Sequence, residues 1–594
     1  MDSRIKGNDG SPAPGGVTSL DSPPQPRKGE GVIVPPWTIS RRLFLIILLL
    51  FSLNALYHYL GAGRDDVFIT LWAGKTLGTA AWFINYNGEL QEISSSILGA
   101  LTAKLAYVCC ADAYYLANKL LGGAAALATL LVLWLQRRTF FHLWPTASVL
   151  AAAALLGFNS SFAYWSLGGL ETPYYALLIL LYATFAMRLF SNLKTPSPLV
   201  GEGRGEGGEP LLLLSLVQIL ALLCRPEGFW LIGVTVTLLA FYWTRLADRR
   251  QRILLSAILA PLLALIALFA LRYAFTGAIF PNPVYAKVSV SHLGGLQEGW
   301  NYLTDFAATS LAGLLLSGTT VIAAALIGYA ALRRWIPGAN QAALLDGHWL
   351  VPALGICAYD AFVILVKGDW MEYHRFLAPT LALKAVLLMQ LSAKFLMLTP
   401  ASARRWAAIA AALFLLLAVV DEWRYRSPQD CSTRLSLDVL PRFLAHPDDA
   451  IIALNCTHRR DQLAIRPFID QELPKYLAQQ GHLTILTYQG GYFPYVIRER
   501  FPLHDITFVD TTGLLNLDIA KAPGEKTSRG HLALGDLPAI LSGEVPGLSE
   551  RVSRYHPNMI YLLGVSENDH LRLQSLGFTR ILQVPNAVIY FKGS

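Results

Sequence analysis

Charge is what this sequence has least of. Only 15% of its 594 residues are Asp, Glu, Lys or Arg, against roughly 25% in an ordinary soluble chain. The shortage falls in the first two-thirds, where long apolar runs alternate with short basic loops. That distribution excludes a soluble globule for this part of the chain. Cysteine is scarce too, with 6 residues and no Cys-x-x-Cys pair, which argues against a cysteine-built metal site or a disulfide scaffold. Cys109, Cys110, Cys224 and Cys357 lie in or near apolar segments and read as small packing residues. Cys431 and Cys456 fall in the C-terminal part and are suited to one disulfide if that part is extracytoplasmic. The first apolar stretch has no small-residue cleavage site after it and reads as a retained signal anchor.

What the chain has in abundance is apolar length: 54% hydrophobic residues and a mean hydropathy of +0.43. Several runs approach the ~20 residues that cross a ~30 Å hydrocarbon core. Spans are expected near Arg42–Leu60, Ala117–Leu135, Leu143–Phe158, Pro173–Phe190, Pro210–Cys224 and Gly228–Trp243. Further spans are expected near Ile253–Tyr273, Phe306–Leu332, Trp349–Val366, Phe376–Leu398 and Trp406–Val420. The fold class is therefore a polytopic α-helical membrane protein of about eleven transmembrane helices. With Arg41 and Arg42 inside, every second helix ends at Arg137/Arg138, Arg188, Arg245/Arg249/Arg250, Arg333/Arg334 or Lys394/Arg404, as retention of basic loops in the cytoplasm requires. The net charge of +8 belongs to this pattern, so the partner it implies is the lipid bilayer and no nucleic acid. The alternation also makes Ile97–Cys110 an interfacial helix rather than a crossing.

Residues 1–40, rich in Gly, Pro and Ser, read as a disordered cytoplasmic tail, and 41–421 as the transmembrane domain with a long outer loop at 61–116. Ser191–Glu209 is a low-complexity cytoplasmic linker. Residues 422–594 change character. Short β-rich runs at Ala450–Leu454, Leu483–Thr487, Ile506–Val509, Met559–Leu563 and Ala587–Phe591 alternate with helical stretches at Gln471–Gln480 and Leu537–Leu541, the pattern of a C-terminal soluble α/β domain. An odd number of spans places that domain on the outer side. Its QGGYFPY stretch, Gln489–Tyr495, suits either stacking on sugars or packing in the core.

Sorted by this topology, the unusual polar residues gather at outer helix ends, where ionisable groups often mark a substrate path. GRDDVFIT, Gly63–Thr70, sets Asp65 and Asp66 side by side after the first span, as a general base and a second carboxylate would be. FINYNGELQEISSS, Phe83–Ser96, carries Glu89 and Glu92 among amides and hydroxyls, suited to polyhydroxylated substrates or to ordering the loop. SLGGLETP, Ser166–Pro173, sets Glu171 at a helix entrance, where the helix dipole also favours an acid. In CRPEG, Cys224–Gly228, Arg225 is suited either to a phosphate or to pairing with Glu227. GAIFPNPVYAK, Gly277–Lys287, and KGDWMEYHRF, Lys367–Phe376, add Tyr285, Lys287, Asp369, His374 and Arg375, where a cationic group suits a lipid-linked phosphate and the aromatics equally suit interfacial anchoring.

Taken in order, DDVFIT, NYNGE, GGLETP, RPEG, FPNPVYAK and GDWMEYHRF resemble the C-type (GT-C) glycosyltransferase superfamily, and more closely the mycobacterial-type terminal arabinofuranosyltransferases, over about Arg64 to Pro379. In the C-terminal domain only DTTGLLNLDIA, Asp510–Ala520, shares the likeness. The family pattern after NGE continues acidic-Gly-Tyr-Thr-Asn, whereas this chain has QEISSS with Glu92 at the acid. The resemblance implies an inverting transfer of a single sugar, D-arabinofuranose by its suggestion, from a polyprenyl-phosphate donor. Asp65 or Asp66 is then the base, and Arg225, Lys287, His374 and Arg375 stabilise the donor phosphate. Glu89, Glu92, Glu171, Glu227, Tyr285 and Asp369 are then substrate-binding. It implies no required cofactor, leaves a divalent metal open, and sets the protein in a bacterial inner membrane with site and C-terminal domain facing the periplasm. The acceptor is a cell-envelope glycan, a lipopolysaccharide or a pilin-like surface protein. Two other readings compete. One is a transporter or flippase of lipid-linked sugars, against which the lack of a convincing repeat between the halves counts. The other is a ligase or polymerase that moves a whole glycan.

Overall fold

The computed structural model describes residues 36–59, 65–192, 208–242, 248–287, 293–334, 347–369, 371–424, 465–522, 537–563, 565–584 and 587–592. Most of the expected tail, the 191–209 linker and Ala450–Leu454 lie outside them, as do Cys431 and Cys456. Among the described residues, each expected span lies mainly on helix, with that at Phe306–Leu332 broken at Ser310. Among the described residues, 8 helices are long and apolar enough to cross a membrane, and a ninth is made if Pro145–Phe158 and Ser160–Ser166, bent by 68°, count as one. Leu211–Cys224 and Pro226–Phe241 are shorter apolar helices. They meet at Arg225, whose backbone is extended (φ −149°, ψ 142°) ahead of Pro226, the conformation a residue before proline favours. Ile97–Cys109 is likewise too short to cross and packs on the helix Asp66–Thr76. The protein is a multi-pass helical membrane protein with a C-terminal α/β region.

Small residues allow close helix contacts. A Cβ on Gly122 would lie 2.8 Å from the Ser166 carbonyl oxygen, and one on Gly74 would lie 2.6 Å from the Ala103 Cβ. Inside the bundle, Lys384 Nζ lies 2.7 Å from Asp360 Oδ2, and the Thr320 hydroxyl donates to the same oxygen at 2.6 Å. Both ions are buried, so removing either one alone leaves an uncompensated charge. At one end of the bundle the helix Ala401–Arg424 closes with Asp421 and Glu422. Glu422 Oε1 accepts from the Ser160 N–H (2.7 Å) and Asp421 Oδ2 from the Leu311 N–H (2.7 Å). Two helix N-termini are thereby capped by carboxylates, which their dipoles favour.

The C-terminal region is a five-stranded sheet in the order β2-β1-β3-β5-β4. Its strands are β1 (Leu483–Thr487), β2 (Ile506–Asp510), β3 (Met559–Leu563), β4 (Thr579–Val584) and β5 (Ala587–Phe591). β1 runs parallel to β2 and β3, while β5 is antiparallel to β3 and β4. Every residue of β1 and β5 is buried, whereas β4 is an edge strand with no buried residue. The helix Tyr492–Arg500 follows β1. Its aromatics point inward: Phe493 stacks on Tyr561 (3.9 Å), while Tyr492 and Tyr495 lie 5.0 and 5.4 Å from Phe68 of the outer loop. Of the two uses open to QGGYFPY, packing is the one made.

Candidate active site

Asp65 stands immediately before the helix Asp66–Thr76, and its carboxylate faces the C-terminal region. Oδ2 accepts from the Gly491 N–H at 2.8 Å and Oδ1 from the Tyr492 N–H at 2.7 Å. The carboxylate therefore sits at the N-terminus of the Tyr492 helix, a place suited to an anion. The contact requires a glycine, because a Cβ on Gly491 would lie 1.9 Å from the Asp65 carbonyl oxygen. Burial pushes the Asp65 carboxyl from 3.8 up to about 7, with the charges of Asp66 and Asp510 adding to the rise and the two N–H donors opposing it. The folded protein thus holds this proton more tightly than the unfolded chain does. The group's stabilising contribution is fully present below the ordinary carboxylate range and is lost as pH rises from about 4 to about 7. We expect the thermal midpoint of the wild type to exceed that of Asp65→Asn by a margin that shrinks between pH 5 and pH 8. A margin that stays constant or grows contradicts this.

The outer loop after that helix is largely spent on docking. Asn87 exchanges two hydrogen bonds with Phe508 of the edge strand β2 (2.9 and 2.8 Å), completing a sheet edge that would otherwise be open. Asn85 donates to the Leu515 carbonyl (3.0 Å), and Gln91 accepts from the Leu517 N–H (2.9 Å) and from Asn282 (3.0 Å). Arg498 donates to the carbonyls of Tyr86 and Ile506. Glu89, near the surface, accepts from Asn85 and Gln91 at 2.7 Å each. Glu92 is buried in a bidentate pair with Arg272 at 2.8 and 2.9 Å. Tyr285 accepts from the Ile279 and Phe280 N–H groups and lies under Lys521, 5.1 Å from ring centroid to Nζ. Lys287 ends the short helix Asn282–Lys287, and its side chain lies outside what is described. On the other side, Asp510 folds its own loop by accepting from Thr512, Leu514 and Leu515.

The remaining expected residues form one ion-pair cluster. Arg225 binds Glu171 through Nη1 at 2.6 Å and Glu227 through Nε. Arg375 reaches the same Glu171 oxygen at 3.4 Å and faces Asp369 at 3.6 Å. Two guanidiniums meet three carboxylates, so neither cation is spare. The expected phosphate contact at Arg225 or Arg375 would need an anion to exchange with a carboxylate. The loop carrying Asp369 and His374 is strained: Lys367, Tyr373 and His374 all adopt positive φ (68°, 52° and 47°), a costly conformation that clusters at functional sites. Among the described residues, Asp369 Oδ2, Arg375 Nε and His374 Nδ1 are buried without hydrogen-bond partners. Asp369 Oδ2 and Arg375 Nε still face each other as an ion pair, so His374 Nδ1 is the orphaned atom of the three, and a polar ligand would be held there. The His374 ring packs against Tyr302 and Phe306. Ser161 and Trp165 anchor the segment by donating to the carbonyls of Tyr373 (2.5 Å) and Glu372 (3.2 Å).

SLGGLETP joins the acid pair to this cluster. Gly169 has φ of 77°, and a Cβ there would lie 3.0 Å from Val67, the residue after Asp66, and 3.5 Å from the Lys119 stem. Asn118 donates to the Gly169 carbonyl at 2.8 Å. Val67, the neighbour of the acid pair, thus lies against Gly169, and Glu171 follows two residues along the chain. Sequence reasoning missed Arg272, Gly491 and Lys119. A lysine inside an apolar helix was the one available signal for the last. Among the described residues, no group of three or more His, Cys, Asp and Glu forms a metal-ligand cluster.

The chain is a helix bundle followed by a C-terminal α/β region. Comparison with solved structures gives the same fold. The archaeal oligosaccharyltransferase AglB from Archaeoglobus fulgidus, solved with an inhibitory peptide and a dolichol-phosphate, aligns with TM-score 0.50 at 11% identity over 88% of this chain and 69% of its own. ArnT from Cupriavidus metallidurans in the apo state aligns with TM-score 0.48 at 15% identity over 91% and 97%. The arabinofuranosyltransferase AftD from Mycobacteria aligns with TM-score 0.44 at 12% identity over 93% and 40%. No protein-family model matches the sequence, and no curated protein matches it either.

Proposed function

We propose that this protein is an inverting glycosyltransferase that moves a single sugar from a polyprenyl-phosphate donor to an acceptor on the periplasmic face of a bacterial inner membrane. D-arabinofuranose is the sugar that the sequence motifs favour, and a cell-envelope glycan, lipopolysaccharide or pilin-like protein is the acceptor. The observation that carries this reading is that Val67, next to the acid pair, lies against Gly169, two residues before Glu171 of the buried Arg–Glu cluster. A displacement at an anomeric carbon needs a base for the acceptor hydroxyl and cationic groups for the departing phosphate, set close together.

Asp66 is the base in this reading. Asp65 has one N–H donor on each oxygen and ties the two halves of the protein together, so its role is to hold the helix that presents Asp66. The acceptor oxygen attacks the anomeric carbon while Asp66 takes its proton, and the bond to the lipid phosphate oxygen breaks. The phosphate leaves into the Asp369–Arg375 segment, where His374 Nδ1 has no hydrogen-bond partner and Arg375 Nε exchanges its ion pair with Asp369 for one with the phosphate. Arg225 and Glu171 hold Arg375 in place. With an anomerically pure polyprenyl-phosphate-arabinofuranose, the product linkage, read by NMR, has the configuration opposite to the donor's and carries one sugar per lipid consumed. Retained configuration contradicts single displacement, and multi-sugar products would favour whole-glycan transfer.

A further inference from the structure

Lys119 is fully buried, at 0% exposure, in the helix Tyr114–Leu135. A buried ammonium is tolerated only beside an anion, so the question is which carboxylate it meets. Three observations fix its surroundings. The Tyr115 ring centroid lies 5.2 Å from Nζ. The side-chain stem lies 3.5 Å from the point where Gly169 would carry a Cβ, and Val67 lies 3.0 Å from that same point. The neighbouring Asn118 holds the Gly169 carbonyl at 2.8 Å, and Phe68 packs on Tyr115 at 5.4 Å, so the Lys119 and Asp66 helices are locked together at this level.

Four carboxylates belong to this neighbourhood, and Asp510 is engaged by Thr512, Leu514 and Leu515. Asp65 has both oxygens engaged by the N–H groups of Gly491 and Tyr492. Glu171 is engaged by Arg225 and Arg375. That leaves Asp66, which adjoins Val67. From this juxtaposition at Gly169 we infer that Lys119 is the counter-ion of Asp66 and keeps the base ionised and aimed. This rests on the transferase reading for its role in turnover, though not for the pairing itself. The pairing answers an electrostatic need. Asp65 and Asp510 bring negative charge to the head of the Asp66 helix from two sides, Tyr86 lies beside Asp65, and Glu171 stands beyond Gly169. Without a cation, one carboxylate of so crowded a set takes up a proton, and a protonated Asp66 cannot accept another. Lys119 is in this sense a positioning residue rather than a catalytic one.

The test uses the full-length protein in detergent with Lys119→Met, Lys119→Arg, Asp66→Asn and the double variant Asp66→Asn/Lys119→Met. Pairing predicts that each neutralising single variant lowers the thermal midpoint and that the double variant recovers part of the loss. An additive double variant overturns the pairing. If Lys119→Met does not fold while the double variant does, the pairing is supported, because an unpaired buried charge is then what prevents folding. In turnover, Lys119→Met moves the acidic limb of the kcat profile up by at least one pH unit and regains activity in alkali, whereas Lys119→Arg keeps the wild-type limb. A loss equal at every pH overturns the role in holding the base ionised. Absence of turnover in the wild type would count against the transferase reading, while the melting cycle would still decide the pairing.

Discussion

Asp66→Asn lowers kcat by about 10³-fold at neutral pH, within the range contributed by a positioned general base, and regains part of its lost thermal midpoint once Lys119→Met accompanies it. The substitution keeps size and shape while removing the group that takes the proton. Asp65→Asn behaves differently. It turns an NH2 toward a backbone N–H that now donates to a carboxylate oxygen at 2.7 or 2.8 Å, exchanging an attractive contact for a repulsive one. A hydrogen bond contributes about 0.5–1.5 kcal/mol net, and two are disturbed here, so Asp65→Asn is expected to destabilise the protein more and to slow it less. Steady-state turnover and differential scanning fluorimetry on both variants separate the roles. If Asp65→Asn is the slower enzyme and the more stable protein, the roles are reversed.

Gly491→Ala is expected to have the second large effect, although it changes one hydrogen into a methyl group far along the chain. Its Cβ would lie 1.9 Å from the Asp65 carbonyl oxygen and 2.5 Å from the Asp65 Cγ, contacts that backbone on both sides must yield to. The Tyr492 helix has to withdraw, and both N–H bonds to Asp65 lengthen. A misplacement of about 1 Å in a catalytic constellation costs on the order of 10²-fold in rate, and that is the loss expected in kcat. Limited proteolysis should then cut the variant between the bundle and the sheet under conditions that leave the wild type intact. A variant with wild-type turnover and protease resistance would show that the Asp65–Gly491 contact is dispensable.

Much of the architecture was legible because membranes impose simple rules. Apolar length located the helices, and among the described residues each span expected from Arg42 to Val420 lies mainly on helix. Four strands of the sheet were visible as compact β-branched runs. The fifth, Thr579–Val584, was not, since as an edge strand with no buried residue it carries Arg580 and Gln583 and lacks an apolar signature. The Pro210–Cys224 and Gly228–Trp243 spans proved shorter in apolar length than a full crossing, because Arg225 and Pro226 break the helix between them.

The polar residues were legible as a group and less so one by one. Position in the sequence gathered Asp65, Glu171, Arg225 and Arg375 at helix ends, but which ion faces which is a tertiary matter. Arg225 had two uses open to it, and the ion pair with Glu227 is made, together with one to Glu171. Glu92 looked like a substrate ligand because no local feature revealed Arg272, 180 residues away. The amides of NYNGELQE had the composition of a sugar site and instead meet the backbone of Phe508, Leu515 and Leu517. Backbone partners of this kind leave no trace in side-chain identity.

The measurement that bears most directly on the whole account is release of free polyprenyl phosphate, followed by mass spectrometry, from purified protein given polyprenyl-phosphate-arabinofuranose with and without an acceptor panel. Wild type and Asp66→Asn are compared side by side. The account predicts release that requires an acceptor and falls by about 10³-fold in the variant. No release from this or any other single-sugar lipid phosphate, or release undiminished in Asp66→Asn, would contradict it.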